Sequence, residues 1–230
     1  MICTECNKEV RPIVAVDIDG TTADYYRHFF TFAGGWLGVV DLGAGLSTVE
    51  NWVHNYHGDI SIAEFMGLDK RTYRQIKLAY RQGGMKRSMP LMPFAKELFL
   101  LLRELDTEIW VTTTRPYLQL GNVDDDTREW LQRNELPYDY IVYDDHKYQR
   151  LSEQVDPARV VAVLEDQHDD WMDAALCNLK PVMVRTRYNY LDQGMRAIGM
   201  TNMTDGLEEA KTMLIKRVDA WRRDNGNASD

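Results

Sequence analysis

The chain has 230 residues, 44% of them hydrophobic and 27% charged, with a formal net charge of −9 at pH 7. That length suits one α/β core with a smaller insertion, and no apolar run approaches the roughly 20 residues of a bilayer-spanning helix, so no membrane partner is expected. The acidic balance argues against a surface built mainly for a nucleic-acid backbone, and three cysteines, at 3, 6 and 177, make no disulfide framework.

The first ten residues lack an apolar stretch and a small-residue cleavage site, so a cytoplasmic location is expected. Cys3-Thr4-Glu5-Cys6 has the spacing of half a zinc site, but no second close pair follows. Two ordinary thiols are the expectation; zinc would require Cys177, a histidine or a second subunit. Ile13-Val14-Ala15-Val16 is β-branched and apolar and ends in Asp17-Ile18-Asp19-Gly20-Thr21, which predicts a buried strand closed by a tight turn. Residues 23–90 contain no strand of that kind. Two helical patterns around a Gly-rich centre, Gly34 to Gly45, predict a mainly helical insertion there. Pro93 is expected in the first turn of a helix carrying Phe94, Leu98, Leu101, Leu102 and Leu105.

Four further strands are predicted at Glu108 to Thr113, Tyr140 to Tyr143, Val160 to Leu164 and Val182 to Val184. Helices are predicted at Asp125 to Asn134, Asp169 to Cys177 and Leu207 to Trp221, and the polar tail from Asn225 is expected to fray. Strands alternating with helices imply an α/β fold with a Rossmann-like, doubly wound parallel sheet. The expected organisation is a core of residues 1–22 and 91–230, with residues 23–90 as a small helical cap inserted after the first strand. There is no internal repeat.

Asp17 and Asp19 fall at the C-terminal end of the first strand, where open α/β sheets place their ligand sites. Two close carboxylates repel unless a cation or proton intervenes, and a hard divalent ion such as magnesium accepts carboxylates, water and phosphate together. An isolated Asp-x-Asp-Gly can also be a turn without chemistry.

Asp17-Ile18-Asp19-Gly20-Thr21 resembles the first motif of the haloacid dehalogenase superfamily, and three further motifs follow in order. These are Thr113 within Ile109-Trp110-Val111-Thr112-Thr113-Thr114-Arg115, then Lys147, then the acidic pair Glu165-Asp166. The resemblance covers nearly the whole chain and implies the haloacid dehalogenase fold and a magnesium-dependent phosphomonoesterase. Asp17 would attack phosphorus and form an aspartyl-phosphate, and Asp19 would act as acid and then base, helped by a pKa raised by its anionic neighbours. Phosphate-binding positions carried over are Thr113, Thr114, Arg115 and Lys147. Magnesium would be held by Asp17, the Asp19 carbonyl and Asp166, with Glu165 supporting them. Which of the three threonines faces the site depends on register, since a one-residue shift reverses the side.

Asp-Ile-Asp-Gly-Thr-Thr-Ala-Asp-Tyr, the helical insertion and Met-Pro-Leu-Met-Pro-Phe-Ala resemble the 5′(3′)-deoxyribonucleotidases. Thr127-Arg128-Glu129-Trp130-Leu131, Glu165-Asp166-Gln167 and Arg115 two residues after Thr113 resemble the 3′-phosphatase domain of polynucleotide kinase-phosphatases. Both imply a nucleotide-like phosphomonoester, with a nucleoside monophosphate the first reading and a nucleic-acid 3′ end the second. A nucleotide-binding module without turnover is the third. Thr21 stands where the deoxyribonucleotidase group commonly has an apolar residue, and Asp145 where it has a basic one; Arg115, Lys86 or Arg87 could replace the missing phosphate-binding helper. No P-loop occurs, so a kinase activity is not supported.

Tyr25, Phe29, Phe32 and Trp36 recur at i, i+4, i+7 and i+11 as one helical stripe. They form either the core of the cap or, through Tyr25, Phe29 and Trp36, a ring surface for a nucleobase. Trp52, Tyr56 and His57 could contribute similarly. The histidines at 28, 54, 57, 146 and 168 show no metal-ligand pattern, although His146 and His168 flank motif positions. Either a monomer or a homodimer is compatible with the sequence.

Overall fold

The structure, a computed structural model, describes residues 10–39, 48–58, 60–115, 120–189 and 202–226. Cys3 and Cys6 lie outside the described residues. Its centre is a parallel sheet of six strands in the order β3-β2-β1-β4-β5-β6. The strands are β1 (Ile13–Asp17), β2 (Glu108–Thr113), β3 (Tyr140–Tyr143), β4 (Val160–Glu165), β5 (Pro181–Arg185) and β6 (Met203–Asp205). β1 is central because its five residues are all buried and both its edges are paired, Asp17 with Thr112 of β2 and Val16 with Leu164 of β4.

Strand alternation divides the core into two layers. Val14 and Val16 point to one face, where they pack with Ile109, Val111 and Leu164 against helices α5 (Ala95–Glu104), α6 (Val123–Arg133) and α9 (Gly206–Gly226). Ile13 and Ala15 point to the other, with Trp110 and Val163 against α7 (Lys147–Gln154) and α8 (His168–Leu176). Burying each of these aliphatic side chains contributes about 1.5–3 kcal/mol.

Between β1 and β2 the chain forms α1 (Tyr25–Trp36), α2 (Thr48–Asn55), α3 (Ile62–Phe65), α4 (Lys70–Gln82) and a 3-10 turn, Met85–Ser88. Asp24 and Asp69 cap α1 and α4, their carboxylates accepting backbone N–H groups of the first turn. This segment has its own aromatic core, Tyr26, Phe29, Phe30, Trp52, Tyr56, Ile76 and Tyr80, joined by Tyr188 from beyond β5. Gly34 lets α1 and α2 touch, since a Cβ there would lie 2.3 Å from Val49 Cγ2. Exit and return are tied together: Asp24 N–H donates to Pro90 O and Met92 N–H to Thr22 O, each at 2.8 Å.

Several elements differ from expectation. Among its described residues the insertion holds four helices rather than two, and Gly34 and Gly35 lie inside α1. α5 starts at Ala95, because Phe94 adopts a left-handed conformation with φ 64° and leaves Pro93 outside the helix. Lys147 opens α7 rather than sitting in a loop, and β6 was not anticipated. No helix among the described residues is long and apolar enough to cross a membrane.

Candidate active site

The end of β1 turns sharply. Thr22 and Ala23 donate their backbone N–H groups to Ile18 O, and the Thr22 hydroxyl donates to Asp17 O at 2.9 Å. Ile18 is buried, so Asp17 and Asp19 straddle it and diverge toward different surroundings. Gly20, at φ +105°, is required in this turn: a Cβ there would stand 2.2 Å from Asp166 Oδ2.

Asp17, Glu165 and Asp166 are all buried and bring ligand oxygens within 4.8 Å of one another. Lys147 enters from the start of α7, its Nζ 2.7 Å from Asp17 Oδ1, 2.7 Å from Glu165 Oε2 and 3.0 Å from Asp170 Oδ2. Three carboxylates thus surround one ammonium. Burial pushes the Asp17 carboxyl up to about 8, with Glu165 and Asp19 adding to the effect and Lys147 opposing it. Burial and the charges of Glu165 and Asp17 likewise raise Asp166 well above the usual carboxylate range. Lys147 stays charged, because Asp17 and Glu165 outweigh its own desolvation.

The two members of the acidic pair differ in what remains free. Glu165 accepts the N–H groups of Asp166 and Gln167 on Oε1, each at 3.0 Å, and Lys147 and the Tyr148 hydroxyl on Oε2. Its acceptor capacity is full, which suits a support rather than an ion ligand. Asp166 and Asp17 instead share one hydroxyl: Thr21 Oγ1 lies 2.9 Å from Asp166 Oδ1 and 3.2 Å from Asp17 Oδ2, and one proton cannot serve both well. Surplus negative charge and under-satisfied carboxylate oxygens are the donor set of a hard divalent cation, and this cluster can hold one.

Asp19 departs from expectation. Its carboxylate accepts from Arg115 Nη2 at 2.7 Å and Nε at 3.3 Å, and also from Lys86 Nζ. Burial alone would raise this carboxyl, but Arg115 and Lys86 outweigh it and hold it well below the usual range. The expected upward shift from anionic neighbours is absent because its neighbours are cations. Only the Asp19 backbone carbonyl is left to meet an ion. Burial pushes the Lys86 ammonium down to about 7, against the pull of Asp19.

Register settles how the threonines face. Thr112 pairs with Asp17 and shares its side of the sheet, buried, with a hydroxyl that has no hydrogen-bond partner among the described residues. Thr113 points to the other side and its hydroxyl accepts the Arg115 N–H at 3.4 Å; Thr114 is exposed. Of the aromatic stripe, Phe29 is completely buried between Tyr25, Tyr73 and Tyr80 and offers no free face. Trp36 is 53% exposed at the far end of α1, packed beside Phe32. Tyr25 alone of the three approaches the carboxylates, with Lys86 Nζ 4.8 Å above its ring centre. Trp52 and Tyr56 are core, and His57 meets Arg187 O. Arg87 pairs with Asp126 and Glu129 rather than with the site. His146 caps α7 in an exposed position, and His168 opens α8.

Asp170, Tyr148, Gln167 and Asn189 were not anticipated. Asp170 lies in the first turn of α8, from which its carboxylate reaches Lys147. Gln167 Nε2 donates to Tyr26 OH at 2.6 Å and Asp166 Oδ2 at 3.1 Å, tying the acidic cluster to α1. Asn189 fixes the same loop by donating to Asp166 O at 2.8 Å, and nothing in its local sequence signals that.

No protein-family model matches the chain, and no curated protein is significantly similar to it in sequence. Solved structures do match. A predicted phosphatase from Clostridium acetobutylicum superposes with a TM-score of 0.62 at 13% identity, covering 90% of this chain and 100% of its own. A haloacid dehalogenase-like hydrolase from Streptococcus pneumoniae gives 0.56 at 14%, covering 89% and 99%. CbbY from Rhodobacter sphaeroides, in complex with phosphate, gives 0.52 at 20%, covering 85% and 94%. The six-stranded parallel sheet with helices on both faces is therefore the Rossmann-like fold of the haloacid dehalogenase-like hydrolases.

Proposed function

We propose that this chain is a phosphatase of the haloacid dehalogenase type, hydrolysing a nucleotide-like phosphomonoester with magnesium and with Asp17 as nucleophile. The observation that carries this reading is the placement of Asp17. Its carboxylate sits buried at the end of the central strand, with Oδ1 held by Lys147 and Oδ2 in only a 3.2 Å contact with Thr21. A pinned carboxylate with one lightly engaged oxygen is positioned for in-line attack on phosphorus. The neighbouring proteins in the fold comparison include a predicted phosphatase and a phosphate complex, which supports the same chemistry.

In this reading Asp17, Asp166 and the Asp19 carbonyl would hold magnesium, which would supply charge neutralisation for the incoming phosphate. An Asp17 oxygen bonds to phosphorus as the ester P–O bond breaks, leaving an aspartyl-phosphate. Asp19 gives a proton to the departing oxygen, then takes one from the water that attacks phosphorus and regenerates Asp17. To carry that proton, Asp19 has to be released by at least one of Arg115 and Lys86. Lys147 stays charged beside Asp17 and offsets negative charge in the transition state. Residues 23–90 act as the cap, carrying Lys86 and Tyr25 to the cleft, and the core comprises the flanking segments.

Phosphate release with magnesium, from a panel of nucleoside monophosphates, 3′-phosphorylated oligonucleotides and sugar phosphates, tests this. Release from nucleotide substrates that disappears in Asp17→Asn is expected. No release from any member, or equal release by Asp17→Asn, would sink the reading.

A further inference from the structure

Charge is divided unevenly across the site. On one side Asp17, Glu165 and Asp170 gather around Lys147, with Asp166 beside Asp17 and Glu165. On the other, Lys77, Arg81, Lys86 and Arg115 gather near one carboxylate, Asp19. Arg81, Lys86 and Arg115 are brought together beside Val123 and Asp126. Asp126 does not balance them, because its two oxygens accept from Arg87 and from Asn122 Nδ2.

Lys86 and Arg115 are buried and paired with Asp19, whereas Lys77 and Arg81 are half-buried. α4 carries the latter pair. Tyr73, Lys77 and Arg81 recur every four residues and so share one face of that helix. Lys77 Nζ lies 5.5 Å from the Tyr73 ring centre, and neither Lys77 nor Arg81 has a carboxylate partner among the described residues. Burial and the charge of Arg81 push the Lys77 ammonium down, against the pull of Asp19. Like charges crowded beside a cleft repel one another, and an anion bound between them removes that penalty.

A nucleoside leaving group is neutral and would leave Lys77 and Arg81 uncompensated. We infer that the leaving group carries a second phosphate, bound by Arg81 and Lys77 where α4 borders the Lys86–Arg115 pair. The substrate class is then a nucleotide with two phosphate groups, one hydrolysed and one held, as in a nucleoside 3′,5′-bisphosphate or a 3′-phosphorylated nucleic-acid end. This rests on the phosphatase reading for which phosphate is cleaved, but not for where the second one binds.

Binding is therefore measured without turnover, by titrating Asp17→Asn protein in magnesium with a nucleoside 3′-monophosphate, a nucleoside 3′,5′-bisphosphate and a 3′-phosphorylated dinucleotide. The bisphosphate is expected to bind at least about tenfold more tightly than the monophosphate, the effect of one charge-assisted hydrogen bond. Adding Arg81→Gln or Lys77→Gln should bring that ratio toward one, and Lys77→Arg should preserve it. Equal affinities, or a ratio untouched by both glutamine substitutions, would overturn the inference. A dinucleotide that binds more tightly than the bisphosphate identifies the source as a nucleic-acid end, and equal binding identifies a free bisphosphate. Phosphate release from p-nitrophenyl phosphate by the unsubstituted protein reports on the hydrolase reading separately.

Discussion

Lys147 Nζ lies 2.7 Å from Asp17 Oδ1, although the two residues are 130 positions apart in the chain. Both are buried, and the ammonium also meets Glu165 and Asp170. It is the cation that offsets the three carboxylates packed around it.

Replacing Lys147 by Met should therefore act on folding and on turnover together. Leaving buried carboxylates unpaired costs about 3–5 kcal/mol, and losing a cation beside the transferred phosphoryl group lowers kcat by about 10²–10³. Urea denaturation and initial rates measure the two effects. Lys147→Arg should not restore the rate, because a planar guanidinium cannot place one point charge among Asp17, Glu165 and Asp170. Full activity in either variant would remove Lys147 from the mechanism.

Gly20→Ala probes the turn. The new methyl group would meet Asp166 Oδ2 at 2.2 Å, in a backbone conformation with φ +105° that disfavours any side chain. Displacing Asp166 should weaken magnesium binding and lower kcat/KM by about 10², since an ångström of misplacement is felt at that scale. Calorimetric titration with magnesium and steady-state rates check it, and an unaltered magnesium affinity would show that Asp166 does not bind the ion.

Magnesium affinity should depend on pH in a defined direction. Burial raises the Asp17 carboxyl to about 8 in the ion-free protein and raises Asp166 as well. A cation must displace the protons these groups carry, so binding tightens as pH rises toward 8. From pH 6 to 8 the Kd should fall by up to about tenfold per pH unit for each proton displaced. Titrations in buffers of different ionisation enthalpy count the protons released, and a Kd independent of pH over that range would contradict the assignment.

Much of this site can be read from local sequence, and the remainder depends on long-range packing. β2 and β3 were placed residue for residue because Glu108–Thr113 and Tyr140–Tyr143 are apolar runs with polar limits. β6 is three residues, Met-Thr-Asp, too short for any alternation to register. Within Lys-Tyr-Gln-Arg-Leu-Ser-Glu-Gln only Tyr148 and Leu151 are apolar or aromatic, so the sequence carries little helical pattern to place Lys147 on α7. The stripe from Tyr25 to Trp36 has helical periodicity, but periodicity does not say what lies opposite. In the fold Phe29 faces the insertion's own core. The electrostatic state of Asp19 was the least legible feature, because Lys86 and Arg115 reach it from 67 and 96 residues away.

The most direct test of the central proposal is to look for the covalent bond at Asp17. Borohydride reduces an aspartyl-phosphate to homoserine, which peptide mass spectrometry locates by residue. With magnesium and a nucleotide substrate at steady state, homoserine should appear at position 17 and at no other aspartate, and should vanish when substrate is omitted. Sustained turnover with an unmodified Asp17 peptide would show that the phosphoryl group never rests on that carboxylate.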